Sequence, residues 1–312
     1  MSLLSTLPEG QTVVVVGDVM LDHYVFGDTD RVSPEAPVPV INVTEEKYIL
    51  GGAANVAAKV TELGGHAILV GFIGVDEDGI RLDEMLRNFD EERMTPMLVT
   101  VPERCTTRKM RCLSRGQQLL RLDYEVSSVV SDSIWLELVK TFREAVKDAD
   151  AVILQDYDKG VLTKRSISDM MRAWGPDLRP MLVDPKTKNM DAYIGCSAIK
   201  LNKVEAEEAI RGKLGTDASF EHAARQISEE LGGADVYITR GSQGITAFSD
   251  GTVYQAGTTA QSVIDVTGAG DAAAAAMAIA MAAGWAFPAV AAVANEAGGR
   301  IVGQVGNGTL IV

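Results

Sequence analysis

The chain has 312 residues, 46% hydrophobic and 23% charged, enough for one or two buried cores and too mixed for a disordered or fibrous protein. Lysine plus arginine number 29 against 43 aspartates plus glutamates, and the formal charge of -14 removes the electrostatic case for a nucleic-acid partner. Three cysteines without CxxC spacing, Cys105, Cys112 and Cys196, indicate neither a disulfide framework nor a structural zinc site and fit a reducing cytoplasm.

The opening MSLLSTLPEGQ lacks a basic region followed by an apolar core, so export is not expected. Short β-favouring runs at 12–16, 151–154, 181–183 and 236–239 read as buried parallel strands. Helical patterns at 53–63, 77–89, 133–146 and 220–231 alternate with them, which predicts an α/β core with a mostly parallel sheet and helices on both faces. Two β-rich stretches, 31–48 and 98–124, break the rhythm, and Pro34, Pro37 and Pro39 exclude a central strand there. They predict a small protruding sheet over the main one, with lid segments at about 20–49 and 98–124 of a single domain spanning 1–312. The acidic clusters around Asp76 and Asp90 read as solvated helix ends. Residues 272–294 carry no charge, but alanine dominates them and Gly284 and Pro288 interrupt, so a packed helix pair is expected rather than a membrane span.

The segment Asp265-Val266-Thr267-Gly268-Ala269-Gly270-Asp271 leads directly into that alanine-rich helix. Small residues let the backbone turn tightly and present N–H groups at the positive end of a helix, a geometry that attracts phosphate. Gly268, Ala269 and Gly270 can stabilise a phosphoryl group in transfer, and Asp271 can take the proton of an attacking hydroxyl; an ordinary glycine-rich helix cap fits the same letters. No Lys-Ser/Thr pair follows, so this is not a Walker A loop. At the end of the first strand, Asp18 and Asp22 suit hydrogen bonding to vicinal sugar hydroxyls, with Asp18 the stronger candidate. Gly51, Gly52 and Asn55 open a second glycine-supported helix, where Asn55 can both donate to and accept from a polyol.

A phosphorylated ligand needs cations, which the cluster Arg108-Lys109-Met110-Arg111-Cys112-Leu113-Ser114-Arg115 can supply; Arg111 and Arg115 share a strand face if the strand runs through Leu113, and a solvated hairpin fits the same residues. Asp156 with Lys159 and Asp184 with Lys186 stand at two further strand ends. Asn202 and Glu205, three apart, fit either a helix cap or a magnesium ion held through water. His23, His66 and His222 lack ligand spacing, Trp135, Trp174 and Trp285 read as anchors, and Cys196 is a strand-region thiol without a local base.

Taken together, GDVMLDHYVFGDTDRVSPEAPVPV, LGGAANVA, KMRCLSRGQQLLRLDYE, QDYDKGVL, VDPK and DVTGAGD resemble the ribokinase-like (PfkB) sugar kinases. Within them, RVSPEAPVPV and LSRGQQLLRLD resemble the D-glycero-β-D-manno-heptose 7-phosphate kinases of bacterial lipopolysaccharide precursor synthesis. The resemblance spans about residues 11–303. It implies a ribokinase-like α/β/α core and an ATP- and magnesium-dependent transfer to the anomeric hydroxyl of heptose 7-phosphate. It also implies Asp271 as base, residues 268–270 as anion hole, and sugar contacts from Asp18, Gly51, Gly52 and Asn55. On the nucleotide side it implies Asn202, Glu205, Thr239, Gly241, Gly244 and Asn295, with magnesium reached indirectly through Asn202 and Glu205. A homodimer through the lid, helped by an apolar face at 38–41, is implied as well.

Two departures stand out: Lys200-Leu201-Asn202 lacks the proline common before that asparagine, and Ala272 replaces a usual hydroxyl residue. Five alanines at 272–276 are expected to reshape the nucleotide side. The length leaves no room for the cytidylyltransferase-like domain that many members carry, so a stand-alone kinase or one part of a longer protein is expected. A kinase for another sugar phosphate, or a non-catalytic sugar- or nucleotide-binding protein, are the alternative readings.

Overall fold

The computed structural model describes residues 2–175, 179–259, 266–303 and 308–310. In chain order the elements are β1 (Thr12–Gly17), β2 (Val19–Val32), β3 (Pro39–Gly52), α1 (Ala53–Glu62), β4 (His66–Ile73), α2 (Glu77–Phe89), β5 (Met94–Thr100), β6 (Arg108–Ser114) and β7 (Gln117–Tyr124). There follow α3 (Asp132–Ala145), β8 (Ala151–Gln155), α4 (Lys164–Trp174), β9 (Met181–Asp184), β10 (Ala198–Asn202), α5 (Lys203–Ala209) and α6 (Asp217–Glu230). The last elements are β11 (Asp235–Thr239), β12 (Ile245–Ser249), β13 (Thr252–Ala256), α7 (Ala269–Ala282) and α8 (Phe287–Ile301).

Nine strands form one sheet in the order β13-β12-β11-β10-β9-β8-β1-β4-β5, parallel except for β12, which runs antiparallel to both β11 and β13. Side-chain alternation in β1 explains the three layers. Val13 and Val15 join the apolar cluster built with α1, α2, α7 and α8, whereas Val14 and Val16 join the one built with α3, α4 and α6. The α/β core expected from the sequence is therefore present. No helix among the described residues is long and apolar enough to cross a membrane. The uncharged stretch is instead the pair α7 and α8, broken at Gly284, whose φ of +72° suits glycine.

The small sheet has the order β3-β2-β6-β7. Residues 98–100, assigned to the lid from the sequence, belong instead to β5 of the large sheet, where Leu98 pairs with Gly71. Pro39 starts β3, which is an edge strand and therefore tolerates it. Asp76 does stand at a helix end, but it is more than solvated: it caps α2 through the Gly79 N–H at 2.8 Å and also accepts from the Thr106 N–H at 2.7 Å, tying α2 to the approach to β6. Cys196 lies in the strand region as read, just ahead of β10. It is buried there, and burial pushes its thiol pKa up to about 12.

Candidate active site

Strand register brings the candidate residues to one edge. Gly17 pairs with Gln155, Gln155 with Asp184, and Asn202 with Thr239, so the carboxyl ends of β1, β8, β9, β10 and β11 line up beneath the small sheet. Side chains cap α2 through α6 at Asp76, Ser131, Thr163, Asn202 and Thr216. At α7 the cap is Gly268, left-handed at φ +77°, and no side chain caps the helix. The first-turn N–H groups of α7 thus stand at the positive end of the helix dipole, with no cap from the side chain of the N-cap residue.

Two cavities meet at this turn. One, of about 700 Å³, is lined by Asp22, Gly52, Lys109, Arg111, Asp156, Asp184, Lys186, Lys200, Asn202, Glu205 and the Gly268–Asp271 turn. The other, of about 470 Å³, is lined by Gly244, Ala273, Asn295, Gly298 and Gly299. Thr239, Gly241, Val266, Ala269 and Gly270 line both. Asp265, the first residue of the glycine-turn motif, lies outside the described residues.

Asp271 is buried, with Asn55 Nδ2 donating to Oδ2 at 2.6 Å and the Tyr157 hydroxyl donating to Oδ1 at 2.8 Å. Burial raises its pKa, the two donors pull it back, the Asp184 charge raises it and Lys200 lowers it. Asn55, read from the sequence as a sugar contact, therefore touches the candidate base and does not line the cavity. Lys200 Nζ lies 2.9 Å from Asp184 Oδ2 and would be 3.3 Å from a Cβ placed on Gly270, so its charge sits under the glycine turn. Burial alone would lower the Lys200 pKa, but Asp184 and Glu205 lift it above the usual lysine value.

The sequence singled out other residues that the structure places elsewhere. Asp18 does not line the main cavity. Its Oδ2 accepts the Tyr157 and Lys159 N–H groups at 2.9 and 3.0 Å, and its Oδ1 accepts the Val161 N–H at 3.0 Å. Lys159 also lies outside that cavity, its ammonium 2.7 Å from Glu125. Arg115 is 70% exposed in the β6–β7 turn, bonded to Asp30, because β6 ends at Ser114 and the strand face is lost there. Gly51 is close by: a Cβ there would meet Asp22 Oδ2 at 2.6 Å, so glycine permits the approach of that carboxylate.

Arg111 does face the cavity, bonded to Asp22. Asp156 lines the cavity but spends its oxygens on the Asp158 N–H, Asn189 and Tyr193. Asn202 and Glu205 form a reciprocal capping box on α5, and Glu205 also takes Lys186 at 2.9 Å. Among the five alanines, only Ala273 lines the second cavity; all five are buried, as close-packing surface for neighbouring elements. Tyr157, Lys200 and Gln155 were not found by sequence reasoning, whereas Lys109 belongs to the basic cluster read as a supply of cations and does line the charged cavity. Tyr157 and Gln155 sit inside the QDYDKG segment, where the Asp and Lys letters drew the assignment.

A model of the pfkB family carbohydrate kinases matches residues 11–311. The chain belongs to that family. It is 41% identical over 296 residues to the D-beta-D-heptose 7-phosphate kinase of Bordetella bronchiseptica, covering 94% of this chain and 91% of the relative. It is also 41% identical over 299 residues to the bifunctional protein HldE of Caulobacter vibrioides, covering 95% of this chain but 61% of that longer protein. Phosphofructokinase-2 from Escherichia coli in complex with potassium superposes with a TM-score of 0.80 at 16% identity, over 97% of this chain and 95% of that one. Ribokinase from Arabidopsis thaliana complexed with ribose and ATP gives 0.73 at 22% identity, over 96% and 94%. The two structural likenesses concern the fold, which is ribokinase-like.

Proposed function

We propose that this chain transfers the γ-phosphoryl group of ATP to the anomeric 1-hydroxyl of D-glycero-β-D-manno-heptose 7-phosphate, giving the 1,7-bisphosphate and ADP. The observation that carries the reading is the meeting of a charged cavity and an apolar one at the Gly268–Asp271 turn. The apolar cavity suits a nucleoside, and Lys109, Arg111 and Lys186 in the charged one suit the 7-phosphate. The Bordetella relative's name supplies the sugar.

Asp271 accepts the hydroxyl proton as the sugar oxygen bonds to the γ-phosphorus and the bond to the departing ADP oxygen breaks. The 268–270 backbone and the Lys200 ammonium stabilise negative charge on the transferring group. Among the described residues no three His, Cys, Asp or Glu side chains cluster as a metal cage. Asn202 and Glu205, whose oxygens already hold one another and Lys186, fit magnesium only through its water shell, which is how this ion is commonly held beside phosphates. When bound, magnesium would screen phosphate charge.

The working place is the cytoplasm, as one kinase unit in ADP-heptose synthesis. The working form is a homodimer through the small sheet, where Val32, Val38, Val43, Leu120 and Leu122 are exposed.

The test is magnesium-dependent ADP release with β-heptose 7-phosphate, its α-anomer, fructose 6-phosphate, ribose and no sugar, with Asp271→Asn alongside. A β-heptose-selective signal, lost in the variant by about 100-fold or more, is expected. A stronger response to another sugar phosphate would reassign the substrate, and undiminished turnover in the variant would remove Asp271 as the base.

A further inference from the structure

We propose that Tyr157 is a positioning residue for Asp271, its hydroxyl holding Oδ1 while Asn55 holds Oδ2, so that the carboxylate keeps one orientation in the wall of the cavity. This rests on the reading of Asp271 as the base.

The geometry separates the roles of hydroxyl and ring. The ring is held on its own account: Lys109 from the small sheet and Lys186 from beyond β9 lie 5.8 and 6.0 Å from its centroid. The backbone beneath it is pinned as well, because the Tyr157 N–H donates to Asp18. Only the hydroxyl reaches the base. Burial and the Asp271 charge push the phenol pKa well above its ordinary value, so the group stays protonated and remains a donor.

A carboxylate with one fixed donor on each oxygen cannot rotate without breaking both hydrogen bonds, which directs the remaining lone pairs. Orientation of this kind matters because proton transfer demands a short, aligned approach. The groups facing Asp271 are Asn55 from α1, Tyr157 after β8, Asp184 at the end of β9 and Lys200 on β10. Asp184 and Lys200 are paired with each other, so a change confined to the Tyr157 hydroxyl leaves their charges in place.

The experiment compares wild type, Tyr157→Phe and a protein carrying 3-fluorotyrosine at position 157. The kcat pH profile is measured together with a ¹³C-carboxyl NMR titration of Asp271, the resonance being assigned by its loss in Asp271→Asn. In Tyr157→Phe, kcat falls about tenfold or more while both KM values stay within about threefold. Removing a donor to the charged form raises the Asp271 midpoint, so the acid limb of kcat moves to higher pH. The fluorinated phenol is a stronger donor and moves the midpoint the other way. An unchanged midpoint in both proteins overturns the proposal, as does a KM effect without a kcat effect, which would make the hydroxyl a substrate contact. Should wild type show no kinase turnover, the reading of Asp271 as base fails, and the NMR midpoint alone decides whether Tyr157 sets the state of that carboxyl.

Discussion

Lys200 reaches from β10 under the glycine turn to place Nζ 2.9 Å from Asp184 Oδ2, and both residues are buried. The Gln155 amide donates to the same oxygen at 2.9 Å. Burial pushes the Asp184 pKa up and the Lys200 ammonium pulls it back. Asp184 therefore fixes the Lys200 ammonium beside Gly270, which lines both cavities.

Lys200→Met leaves the Asp184 carboxylate buried without its counter-charge and is expected to cost about 3–5 kcal/mol, read as a lower urea midpoint at unchanged slope. Adding Asp184→Leu removes the stranded charge and should restore most of that stability. Turnover should stay low in both proteins, because the ammonium near Gly270 is still missing. A double variant that regains turnover would make the ion pair purely architectural.

The two lid arginines should part company. Arg111 is half-buried, bonded to Asp22, and faces the charged cavity, whereas Arg115 is 70% exposed and bonded to the equally open Asp30. An exposed pair of the second kind contributes about 0–1 kcal/mol. Arg111→Gln is expected to raise KM for the sugar phosphate about tenfold or more, the loss of one charge-assisted contact. Arg115→Gln should leave KM within about twofold and the melting temperature unchanged. Initial-rate kinetics at fixed ATP decide it, and a large KM effect in Arg115→Gln would mean that the β6–β7 turn reaches the substrate.

Much of the framework was legible because periodicity and punctuation carry it. The helix at 77–89 coincides with α2, and the strand at 12–16 and the helix at 53–63 differ from β1 and α1 by a single residue at one end. The break at Gly284 was readable from glycine and proline alone. The nucleotide-side assignments Thr239, Gly241, Gly244 and Asn295 all line the apolar cavity. What stayed hidden was pairing across the sheet. Asn55 and Tyr157 converge on Asp271 from 216 and 114 residues away, and no local pattern announces such a contact. The extent of Arg115's strand face was misjudged for a local reason: β6 stops at Ser114 and the chain turns at positive φ on Arg115 itself.

Asp18 is a strand-end carboxylate whose oxygens the structure shows at work on the backbone. Its acidity and position suggested a sugar ligand, yet its two oxygens gather the N–H groups of Tyr157, Lys159 and Val161 and so shape the loop that carries Tyr157. Asp18→Ala leaves these three donors without that acceptor, two of them on half-buried residues and one on a buried residue. At about 1–3 kcal/mol for each buried donor, and less where water reaches, a loss of about 3 kcal/mol or more is expected by urea denaturation. Asp18→Asn keeps an acceptor oxygen for part of the loop and should lose less. If the loop is what matters, kcat falls with stability in Asp18→Ala through displaced Tyr157, while KM for the sugar phosphate moves little. A variant that folds with wild-type stability and wild-type kcat but a KM raised about tenfold would return Asp18 to the sugar, and the loop would then be held by other contacts.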